Sequence, residues 1–154
     1  MIEEVYDFLR EYGFTKEEVN YFEDENDDMY FTNMIEVNKN IDFLINKGLN
    51  KEEIMQVFRA DPFMITVKNN RLDALDKIYI ENLRLNKDEL KQLIIDNPDA
   101  YIVSVSELNK NIDYLKEHNY SIEVIKKFFI TNPKLISMSN KEFISVVKCN
   151  WYNY

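Results

Sequence analysis

Asn38-Lys39-Asn40-Ile41-Asp42-Phe43-Leu44 returns 71 residues later as Asn109-Lys110-Asn111-Ile112-Asp113-Tyr114-Leu115. A shorter echo, Asp7-Phe8-Leu9, precedes Asp42-Phe43-Leu44 by 35 residues, so 71 is two periods. The three prolines keep the same beat: Pro62, Pro98 and Pro133 stand 36 and 35 apart. A fixed period of this size is the mark of stacked supersecondary units.

Each period reads as helix, turn, helix, stop. The first helix carries apolar residues at helical spacing, such as Val37, Ile41, Leu44 and Ile45, or Leu108, Ile112 and Leu115. It ends at Gly13, Gly48 or Asn119, residue types that tolerate the left-handed conformation of a helix C-terminus, whereas the third copy offers Arg84. The second helix opens with Thr15-x-x-Glu18, Asn50-x-x-Glu53 or Asn86-x-x-Glu89, reciprocal caps in which the first side chain and the Glu each satisfy an orphan N–H. Ser121 does the same without an acid partner. The stop is Asp61-Pro62, Asn97-Pro98 or Asn132-Pro133, because proline disfavours helix in the residue before it. Asn33-x-x-Glu36, Ser104-x-x-Glu107 and Ser139-x-x-Glu142 then open the next copy.

With only 2 Gly and 3 Pro, the chain lacks the turn residues a sheet protein consumes. The expectation is one all-α domain over residues 1–154, with repeats near 1–33, 34–68, 69–104 and 105–139 and a half-repeat cap at 140–154.

These units resemble the repeat of the mitochondrial transcription termination factor (mTERF) family. The resemblance rests on Gly48-Leu49-Asn50-Lys51-Glu52-Glu53-Ile54 leading to Pro62-Phe63-Met64-Ile65, and on Asn119-Tyr120-Ser121-Ile122-Glu123 leading to Pro133-Lys134-Leu135-Ile136. It implies a right-handed solenoid of about three and a half helical hairpins whose concave, basic face binds nucleic acid.

The charge points elsewhere. The formal net charge is −9, and residues 1–37 hold twelve acids against Arg10 and Lys16. The first copy also has Asp27 where Pro62 stands one period later. An acidic face attracts a basic partner and repels phosphate. The first expectation is therefore a protein partner, such as a nucleic-acid-handling protein inhibited or regulated by nucleic-acid mimicry. Its contact would be Glu23, Asp24, Glu25, Asp27 and Asp28. The alternative follows the resemblance: nucleic acid held by Lys110, Lys116, Lys126, Lys127 and Lys134. The aromatics Trp151, Tyr152 and Tyr154 would cap the last unit or anchor a contact.

Little else carries chemistry. His118 is the only histidine and Cys149 the only cysteine, too few for a tetrahedral zinc site. Two glycines cannot build a phosphate loop or a dinucleotide fingerprint. Asp24-x-Asn26-x-Asp28 begins like a calcium loop, but Met29 and Ile35 fall where Gly and Glu are needed. The sequence thus predicts no enzyme, no cofactor, no metal and no small-molecule substrate. A lone cysteine, an acidic start and no long apolar run suggest a cytoplasmic, reducing location without a membrane span.

Overall fold

The computed structural model describes residues 1–150, the side chain of Asn150 apart, and is all-helical over them. The aromatic tail at Trp151, Tyr152 and Tyr154 lies outside the described residues. Two compact units divide the chain, Met1–Asn69 and Asn70–Tyr154.

In the first unit, α1 (Glu3–Tyr12) and α2 (Lys16–Glu25) lead into a 3-10 turn at Asp27–Tyr30. The second repeat follows the same plan with α3 (Met34–Asn46), α4 (Lys51–Ala60) and a 3-10 turn at Pro62–Ile65. The second unit contains α5 (Asn69–Asp76) continued by a π segment (Lys77–Asn82), then α6 (Lys87–Asp96), α7 (Val105–Glu117), α8 (Ile122–Thr131), a 3-10 turn (Pro133–Ser137) and α9 (Asn140–Asn150).

The caps form where the sequence places them. Thr15, Asn50 and Asn86 each accept from the N–H three residues on, and Glu18, Glu53 and Glu89 close the reciprocal bond. Asn33, Ser104, Ser121 and Ser139 cap without the return bond. Glu36 and Glu107 are diverted instead to the start of the following first helix. Glu36 pairs with Lys68 at 3.2 Å, and Glu107 accepts from the Asn140 backbone N–H at 3.0 Å.

Each unit buries its own apolar stripe. In the first, Phe14 meets Phe22 edge-on at 5.0 Å, beside Val5, Leu9 and Phe58, all essentially without exposure. Full burial of one such side chain contributes roughly 1.5–3 kcal/mol. Gly13, at φ 129°, holds the turn beneath this cluster, and a Cβ there would meet Met55 Cε at 3.0 Å. Ile45 departs from the expected stripe and is exposed.

The third repeat explains its odd proline spacing. Arg84 takes φ 57°, matching Asn119 at 65°, so the left-handed position is kept. The extra residue lies between Tyr79, one period from Leu44 and Leu115, and the cap Asn86. That is where the helix widens: Leu83 N–H bonds Ile78 O, five residues back, at 2.8 Å. A π turn absorbs one inserted residue without shifting the buried face.

Buried amides tie the prolines' turns to the helices. Asn40 Nδ2 donates to Ile65 O at 2.7 Å, and its counterpart Asn111 donates to Met138 O at 3.0 Å. Their period equivalent in the third repeat is Leu75, which cannot donate. Tyr79, one turn further on, supplies the missing donor to Ala100 O. A second set joins consecutive repeats: Asn26 Nδ2 reaches Pro62 O at 3.0 Å, and Asn97 Nδ2 reaches Pro133 O at 3.3 Å.

Candidate binding surfaces

The acidic run is built into the fold rather than looped out. Asn26 is fully buried, donates to Pro62 O and Thr66 Oγ1, and accepts from Asp28 N–H at 3.1 Å. That cap starts the 3-10 turn without proline, so Asp27 leaves the structural period intact. It also removes Asn26 as a calcium ligand. Among the described residues no group of three or more His, Cys, Asp or Glu could hold a metal ion.

Around that buried amide, Asp24, Glu25, Asp27 and Asp28 are exposed. Glu23 is half-buried and pairs with the Met1 amino group at 3.1 Å. Its charge, with burial and with Asp24 and Asp27 adding, pushes the Tyr30 hydroxyl above the usual phenol range. The five predicted acids therefore share one short stretch, four outward and one tied back.

Three apolar side chains stand beside them that the sequence reading passed over. Tyr30 is 49% exposed, Phe31 83% and Ile35 69%. The signal lay in the repeat: Tyr30 aligns with Ile65, Tyr101 and Ile136, all buried, and Ile35 with Asn70, Ser106 and Lys141.

The predicted lysines separate. Lys110, Lys116, Lys127 and Lys134 are exposed, but Lys126 is held at 2.6 Å by Glu89 and at 3.1 Å by Arg84 O. Burial raises the Glu89 pKa, yet the Lys126 hydrogen bond, the Asn86 cap and the Lys126 charge outweigh it and leave the carboxyl below its ordinary value. Lys110 and Lys116 are six residues apart on α7 and so point about 120° apart around it. Arg71, which looked unremarkable, donates to Ile102 O and Val103 O at 3.0 and 2.9 Å and is a structural tie.

No catalytic pairing is evident at His118: it ends α7, exposed, with Nδ1 2.7 Å from Tyr114 O and its ring 4.1 Å from that of Tyr114. A groove of about 260 Å³ is lined by Leu93, Ile130 and Pro133 with Asp88, Glu89, Gln92 and Asp96. Its polar lining is three carboxylates and one amide. No described helix is long and apolar enough to cross a membrane.

The mTERF family model matches residues 1–144, nearly the whole chain. No curated protein matches it.

Proposed function

We propose, since the chain belongs to the mTERF family, that it is a non-catalytic helical-repeat module that binds nucleic acid. The family match carries this reading and outweighs the overall charge, which had ranked a protein partner first. The charge is also uneven. Residues 1–69 hold sixteen acids against seven bases, while residues 70–154 hold twelve of each. Contact is assigned to the exposed lysines of the second unit: Lys110, Lys116, Lys127 and Lys134. Lys126 is left out because Glu89 already holds it. Phosphate neutralisation makes such binding salt-dependent. Fluorescence anisotropy with labelled single- and double-stranded oligonucleotides should show binding at low ionic strength that weakens as salt rises. Absence of binding even at low salt rejects the reading.

A second reading has its own observation, the four outward carboxylates Asp24, Glu25, Asp27 and Asp28. They suit a basic protein that the chain regulates. Charge reversal at these four positions should then abolish its capture from the host, and undiminished capture removes this reading.

A further inference from the structure

We infer that Tyr30, Phe31 and Ile35 form a docking surface for a basic amphipathic helix of a partner protein; this deepens the second reading above and rests on it. Single exposed apolar side chains are ordinary on protein surfaces. Here, however, three of them fall within six residues, and Phe31 is 83% exposed. The other repeats bury the residue equivalent to Tyr30 and make the one equivalent to Ile35 polar, so repeat packing does not account for them.

The backbone that carries the surface is held by hydrogen bonds. Phe31 N–H and Thr32 N–H both bond Asp28 O at 3.0 Å. Thr32 is buried, and its hydroxyl donates to Glu36, itself paired with Lys68. Burial raises the Glu36 pKa, but the bonds from Lys68 and Thr32 outweigh it and keep the carboxylate ionised. A backbone already ordered in this way loses little freedom on binding.

Charge selects the occupant. Asp24, Glu25, Asp27 and Asp28 lie just before the apolar positions in the chain, and the charges of Glu23, Asp24 and Asp27 act on Tyr30, which disfavours an anionic lipid surface or a phosphate backbone and favours lysine and arginine. Aromatic faces add attraction for those cations. A helix with an apolar row and basic flanks satisfies both features at once.

The test uses the full chain and a synthetic leucine–lysine peptide with its leucines along one helix face. Amide shifts in a heteronuclear NMR titration should concentrate at residues 24–36. The exposed pair variant Phe31→Ser with Ile35→Ser should keep the fold by circular dichroism and bind about tenfold more weakly. A peptide with serine in place of leucine should bind poorly. Equal binding of the serine peptide, or of the pair variant, overturns the docking surface while leaving an acidic contact standing. No binding of either peptide overturns both. Self-association abolished by the pair variant in sedimentation equilibrium assigns the surface to a second copy, and capture by anionic vesicles assigns it to lipid. Either result overturns the proposal.

Discussion

Asn26-Asp27 and Asn97-Pro98 end equivalent helices, one without proline and one with it. Both asparagines send their amide to a proline carbonyl 36 residues ahead, Pro62 and Pro133. Both backbones leave the helical region at the asparagine, with φ −131° and −138°. Proline is thus not required for the stop at Asn26, where the buried amide holds the turn in its place. What differs is the outside: the first stop shows four exposed carboxylates with the exposed rings of Tyr30 and Phe31, whereas the third shows Asp96 and a half-exposed Asp99 and buries Tyr101.

The amide at the first stop is the better satisfied of the two, so breaking it should cost more. Asn26→Ala removes a donor to two buried acceptors and the cap on Asp28 N–H, and should lower stability by about 3 kcal/mol in urea denaturation. Tyr79→Phe, which deletes the donor standing in for an asparagine, should cost about 1–2 kcal/mol.

The same tyrosine gives a pH signature. Burial holds the Tyr79 hydroxyl well above its usual range, and burial with the Asp76 hydrogen bond at 2.5 Å does so for Tyr101. A pKa raised by folding contributes stability that is complete below the unfolded value near 10 and is lost as pH climbs beyond it. Alkaline unfolding should therefore begin above about pH 10, and Tyr79→Phe should flatten that decline.

Asn97→Ala breaks one longer bond and should cost about 1 kcal/mol, clearly less than Asn26→Ala. Asp27→Pro restores the proline of the other stops. The residue before it is already extended, and Pro62 fills the matching site, so thermal denaturation should show a gain of about 0.5–1 kcal/mol. A loss there would mean the first stop depends on its acid.

The repeat was legible because its signals are local. Caps such as Asn50-x-x-Glu53 and stops such as Asp61-Pro62 act within a few residues, and each recurs a period away. The asparagine bonds were not legible, since Asn40 in a polar stretch reads as exposed until Ile65 O appears 25 residues on. The acidic site was half legible. Charge marked Asp24 to Asp28, but the same run hid a buried Asn26, whose partners Pro62 O and Thr66 Oγ1 lie 36 and 40 residues on. The pairing of Lys126 was hidden for the matching reason: its partner Glu89 is 37 residues away in sequence.

The carboxylates of the first stop also provide the sharpest functional test. Wild type and the variant Asp24→Asn, Glu25→Gln, Asp27→Asn, Asp28→Asn would be titrated with a labelled duplex by anisotropy across a salt series. Because Lys110 and Lys116 diverge by about 120° around α7, about three lysine–phosphate contacts predict a slope of log affinity against log salt of about −3. The variant should bind more tightly at low salt, and that gain should shrink as salt rises, because repulsion between the acids and the duplex is screened. No binding by either protein at the lowest salt would contradict nucleic-acid binding outright.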